Sequence, residues 1–150
     1  MKYARHRSRE IAVQTLYPWL LTQTPLRQTS TYMQSLPDFK QADAEFFNTI
    51  ISGIESDIAN LNQILEMGLD RPISKLSSIE HAILLIGAYE LEKCEDTPFK
   101  VVIDEAIKLT KTFGNPDGFR FVNGVLDKVA NKLREKEMVE PNNKLSITKL

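Results

Sequence analysis

Apolar residues recur along most of this chain at three- and four-residue spacing, the signature of one face of a helix, and nowhere in the strict alternation of a strand. Ala12, Val13, Leu16, Trp19 and Leu20 form the first such stripe and predict a helix over residues 4–21. Pro18 falls inside it, removes a backbone donor and predicts a kink or an early stop. Residues 22–30 (TQTPLRQTS) read as a loop leading to a short helix over 31–36, and LPDFKQAD reads as a second linker. Phe46, Phe47, Ile50, Ile54, Ile58, Leu61, Ile64 and Leu65 then predict one long helix over 43–67, stopped by Gly68. Ser77-Ser78-Ile79-Glu80 has the form of a capping box, and the nearly all-apolar helix it opens, to about residue 93, is expected at the centre of a bundle. Thr97 as N-cap, Pro98 in the first turn and Gly114 past the end punctuate a further helix, with Ile103, Ala106, Ile107 and Thr110 on its stripe. A last helix is predicted over 117–136, capped by Asp117, with Val122, Val125, Leu126, Val129 and Leu133 inward. The expected fold class is all-α.

Length and composition add bounds to this. A chain of 150 residues with 42% apolar and 26% charged residues suits one ordinary globular domain, expected over 1–136, followed by a flexible tail over 137–150. Cys94 is the single cysteine, so no internal disulfide framework can form, which fits a reducing compartment. The longest apolar run, 82–89, is too short to span a bilayer, and no apolar segment follows the charged start as in a signal peptide. A cytoplasmic protein with no membrane partner is expected.

Net charge is −1, but it is segregated. Between residues 38 and 105 there are fourteen acids against five Lys and Arg; between 106 and 136 there are seven Lys and Arg against three acids. Such a molecule can offer one face to a polyanion and another to a basic protein. The start is the sharpest case: Arg5, His6, Arg7 and Arg9 precede the first acid, Glu10. Cations at a helix N-terminus oppose its dipole, so their placement calls for a nearby counter-charge. Arginine binds phosphate bidentately and stacks on bases.

Catalytic signatures are absent from the sequence. The six glycines form neither a dinucleotide-binding fingerprint nor a phosphate loop, and His6 and His81 have no metal-ligand spacing to each other or to Cys94. Cys94 and His81, thirteen residues apart, fall on nearly opposite faces of one predicted helix. No enzyme activity, metal or cofactor is expected. What remains is the basic first turn, Tyr17 at the margin of the first stripe, and Arg120 beside Phe121, the arginine–aromatic pairing that single-stranded RNA favours.

Four blocks, RHRSREIAVQTLYPW, IEHAILLIGAYEL, VVIDEAIKLTKTFG and above all FVNGVLDKVA, resemble the NusB family of bacterial transcription antitermination factors in order and spacing, over about residues 3–131. The resemblance implies an all-helical fold of two small packed subdomains. It also implies binding to the boxA segment of nascent RNA jointly with NusE, a small-subunit ribosomal protein, with other Nus factors and RNA polymerase engaged indirectly. Carried over by position, Arg5, His6, Arg7 and Arg9 match the family's arginine-rich RNA-contacting motif, with His6 where Arg is common. Tyr17, Arg120 and Phe121 match RNA-side residues, while Glu80 and Asp117 match acids on the partner side. Leu85 stands in a block that often holds a basic residue, and Pro18 is unusual after the tyrosine. On this reading RNA phosphates supply the counter-charge of the first turn. Two alternatives are the NusB-like RNA-binding part of an rRNA cytosine methyltransferase, although no cofactor loop or catalytic cysteine motif follows before Leu150, and a generic helical interaction module.

Overall fold

A computed structural model describes residues 2–135 and 137. Its helices are α1 (Lys2–Thr22), α2 (Leu26–Ser35), α3 (Ala44–Ser56), α4 (Ile58–Glu66), α5 (Ser78–Lys93), α6 (Phe99–Phe113) and α7 (Phe119–Leu133). Short 3₁₀ turns lie at Pro37–Gln41, Ile73–Lys75 and Pro116–Gly118, and the described residues contain no strand. The all-α expectation holds.

The apolar helix predicted to be central is central. Every residue of α5 from 82 to 91 is buried, and α5 packs on α1, α3, α4, α6 and α7. It can be surrounded because small residues admit its neighbours: a Cβ on Gly87 would stand 2.8 Å from Leu126 Cδ1 of α7. The capping box at its start is present, Ser77 Oγ accepting from the Glu80 N–H (3.1 Å) and Glu80 Oε1 from the Ser77 N–H (3.2 Å). At its other end a side chain from beyond α7 does the capping. Arg134, itself buried, donates to the carbonyls of Leu91 (2.7 Å), Glu90, Cys94 and Thr97 (3.0 Å each), taking up main-chain acceptors that a helix end leaves open. Helices α2 and α3 pack on α1, and α7 packs on α4 and α6. Apolar residues from Ile11 in α1 to Ala130 in α7 form one contiguous buried cluster.

Five boundaries differ from expectation. Helix α1 runs through Pro18 to Thr22. The donor that proline lacks would have served the carbonyl of Gln14, an exposed residue that water reaches. The helix ends at Thr22, and the left-handed Gln23 (φ 59°) turns the chain so that the Thr24 N–H reaches the Pro18 carbonyl (3.4 Å). Helix α2 begins at Leu26, within the segment read as loop, because Pro25 leads into it and Leu26 enters the core at 1% exposure. The long helix over 43–67 is two helices broken at Asp57. Asn60 ties the break together, donating to Asp57 Oδ2 (2.9 Å) and to Glu92 of α5 (3.0 Å), and the bend sends α3 toward α1 and α4 toward α7. Finally, Asp117 does not cap α7. It lies exposed in the 3₁₀ turn, Asn115 Oδ1 accepts its N–H (3.1 Å), and Gly118 precedes the helix. Likewise Pro98, rather than Thr97, stands at the N-cap of α6. The expected end of the last helix at Lys136 and the tail over 138–150 lie outside the described residues.

Candidate nucleic-acid interface

The first turns of α1 carry their positive charge over α3, α5 and α6. Ser8, fully buried, anchors α1 there: its Oγ donates to the Asp43 carbonyl (2.8 Å) and accepts the Asp43 N–H (2.9 Å) at the start of α3. Around this anchor the four basic positions separate into different roles. Arg9 is only 4% exposed. Its Nε and one Nη donate to the two oxygens of Glu90 (2.8 Å each), and the other Nη donates to Glu105 Oε1 (3.2 Å). Burial alone would lower its pKa, but the Glu90 and Glu105 carboxylates hold it above the ordinary arginine value, so the buried charge is kept. Its donors point into the interior, unlike those of the other basic positions of this turn.

The other three stay nearer the surface. Arg5, with its side chain 37% exposed, lies over the Phe46 ring at 4.5 Å, and its Nε is 3.8 Å from Asp43. His6 Nδ1 is 2.8 Å from Glu105 and its Nε2 is 3.5 Å from Glu10. Arg7 reaches Glu10 (2.9 Å) and Asp38 (3.3 Å). Each of these four groups therefore has a carboxylate of the protein beside it. Their counter-charge is supplied from within the chain. Of the four, Arg5, His6 and Arg7 keep a solvent-facing side for a further anion. A cleft of about 380 Å³ opens next to them, lined by Lys2, Tyr3, His6, Glu105 and Lys108.

A second basic group forms where α6 ends and α7 begins. Lys111 Nζ lies 4.9 Å and the Arg120 guanidinium 5.7 Å from the Phe119 ring, and the Arg71 guanidinium lies 4.3 Å over the Phe121 ring. Lys111, Arg120 and Arg71 are exposed, while Phe119 and Phe121 are half-buried, and the Phe121 ring is packed against the core. Arg71 is paired with exposed Asp70 (2.8 Å), a contact that water and salt weaken. Arg71, Lys111 and Phe119 escaped the sequence reading. Arg71 is a lone cation in a loop, fifty residues from Phe121, and no local pattern signals their stacking.

Of the two expected partner-side acids, Glu80 lies close to the 3₁₀ turn that carries the other, Asp117. Glu80 caps α5 from within its first turn, and its Oε2 would be 3.8 Å from a Cβ on Gly118, in the same 3₁₀ turn as Asp117. Tyr17 is half-buried near the end of α1, away from both groups in sequence. Leu85 is fully buried among core residues of α5.

Among the described residues no three His, Cys, Asp or Glu side chains converge as a metal site, and no helix is long and apolar enough to cross a membrane. Burial pushes the Cys94 thiol up to about 11, so it is protonated at neutral pH and a poor nucleophile. His81 is half-buried with Nε2 2.8 Å from Asn62 Oδ1, and burial lowers its pKa. Every buried side-chain nitrogen and oxygen among the described residues has a hydrogen-bond partner.

A sequence model of the NusB family matches residues 6–131. The chain is 45% identical over 137 residues to the transcription antitermination protein NusB of Cupriavidus pinatubonensis, covering 91% of this chain and 82% of that one. It is 47% identical over 137 residues to the protein of the same name from Paraburkholderia phymatum, covering 91% and 94%. Its fold matches that of T. maritima NusB with a TM-score of 0.79 at 28% identity, over 93% of this chain and 99% of that one. It also matches a chain in the crystal structure of antitermination factors NusB and NusE in complex with dsRNA, with a TM-score of 0.75 at 22% identity, over 88% and 99%.

Proposed function

The chain belongs to the NusB family, and from that membership we propose that it is a non-catalytic transcription antitermination factor that binds boxA-type RNA together with NusE. The observation that carries the RNA side is the exposed cation–aromatic group of Arg71, Phe121, Arg120, Phe119 and Lys111. A ring seated on the core and flanked by guanidinium groups offers a stacking face for a base and charge for the adjoining phosphates. Arg5, His6 and Arg7 supply a second phosphate-facing edge, and Tyr17 extends α1 toward the same ligand. Arg9 supports this edge from beneath rather than touching RNA.

Glu80 and Asp117 give the basic ribosomal protein an acidic place to dock beside the RNA face, so the two ligands would meet at the α5–α7 end of the molecule. Other Nus factors and RNA polymerase would be reached through that complex, and the protein would work in the cytoplasm. The exposed surface cations predict a salt-dependent affinity, each phosphate contact adding to the slope. A titration of fluorescent boxA RNA and a scrambled control, at two salt concentrations and with and without NusE, tests the reading. Selective tightening of boxA binding by NusE is expected. Equal, weak binding of both RNAs with no effect of NusE would overturn it.

A further inference from the structure

Arg9 and His6 in the first turns of α1 are joined through two nearly buried acids, and Arg5 and Arg7 are linked to them through Phe46 and Glu10. Glu90 of α5 is 1% exposed and Glu105 of α6 is 4% exposed. Glu90 grips Arg9 bidentately, and Glu105 Oε1 accepts from both Arg9 (3.2 Å) and His6 (2.8 Å). Because these acids belong to different helices, they fix the rotation of α1 about its axis as well as its height. Arg9 and Arg5 are one turn apart on α1, and both guanidinium groups lie over the same Phe46 ring, at 5.0 and 4.5 Å. Arg9 and Arg5 thus share one aromatic ring, and His6 shares the Glu105 carboxylate with Arg9. Glu10 then couples His6 to Arg7 along the helix, at 3.5 and 2.9 Å.

We propose that Glu90 and Glu105 are positioning residues for RNA binding: through Arg9 and His6 they hold the basic turn of α1 in the orientation that presents Arg5 and Arg7 to phosphate. This rests on the RNA-binding reading above and makes a claim that simple electrostatics reverses. RNA is a polyanion, so removing a carboxylate beside its site should tighten binding. If the carboxylate acts by placement, its removal weakens binding instead.

Glu105→Gln is the direct test, since Gln keeps the size and loses the charge. Its boxA affinity in the presence of NusE is expected to fall about fivefold, while backbone amide hydrogen exchange rises over residues 3–9 and stays unchanged in α3 and α7. Arg9→Lys provides a second variant with no change of net charge. A lysine cannot reproduce the two-pronged grip on Glu90, so it too is expected to weaken binding and loosen the same residues. Unchanged or tighter binding by Glu105→Gln, or unchanged exchange in both variants, would overturn the inference while leaving RNA binding intact. Failure of the unsubstituted protein to bind boxA RNA would overturn the functional reading and this inference with it.

Discussion

Two regions of the molecule use the same pair of residue types to different ends. Arg9 and Arg5 lie over Phe46 at the α1–α3 junction, and Arg71 lies over Phe121 beside the α6–α7 turn. In the first, Arg9 is sealed beneath the surface and all three of its donor groups that point inward meet carboxylates. In the second, the guanidinium stands in water with one weak surface partner, and two further cations gather round the neighbouring ring. Burial, rather than residue identity, decides which arginine serves the fold and which is free for a ligand. A buried guanidinium without its acids would be intolerable, whereas an exposed one costs nothing to leave waiting.

The sharpest way to break this comparison is to remove each arginine. Arg9→Met strands Glu90 and Glu105 in the interior, and urea unfolding should show a loss of about 3–5 kcal/mol. Arg71→Met should leave the unfolding midpoint where it is and lower RNA affinity. Equal effects on stability would erase the distinction. Next in size, Phe121→Ala should cost about 1–3 kcal/mol of RNA binding through the lost stacking face, read from a fluorescence titration. Its effect on boxA binding should exceed that of Tyr17→Ala.

A smaller effect separates structure from docking at the start of α5. Ser77→Ala removes one half of the capping box and should lower stability by about 1 kcal/mol with NusE binding unchanged. Glu80→Ala should lower both, because the same carboxylate also faces the partner side. The smallest effect concerns pH. Burial holds His81 below the ordinary histidine value of 6.5 in the folded protein, so the unfolded chain takes up its proton first. Stability should therefore be full above pH 6.5 and decline as pH falls from there through the lowered folded value. His81→Gln should flatten that part of the stability profile, measured by thermal unfolding across the acid range.

Much of the fold could be read from periodicity, because burial repeats locally. The stripes of α3, α4, α5 and α7 point inward as predicted, and the capping box at Ser77 is a pattern four residues long. The break at Asp57 could not be read, since the apolar spacing continues through it and its cause, the bond from Asn60 to Glu92, spans thirty-two residues. Pro18 misled because the cost of a proline depends on whether water reaches the carbonyl it abandons. At the candidate site the sequence exposed which residues are basic but not which are free. Arg9 shares the angular stripe of Ala12, Val13 and Leu16, and that was a legible sign of burial; its acids, 81 and 96 residues away, were not. The stacking of Arg71 on Phe121 likewise exists only in three dimensions.

The RNA face proposed for this molecule comprises the first turn of α1 and the Arg71–Phe121 group. Amide chemical-shift changes during titration with boxA RNA and NusE map that face residue by residue. Changes are expected over residues 5–7, at Arg71 and over 119–121 when RNA is added to the preformed protein complex, with the acidic surface at Asp57 and Glu92 unaffected. Changes confined to that acidic surface, or none in either basic group, would contradict it.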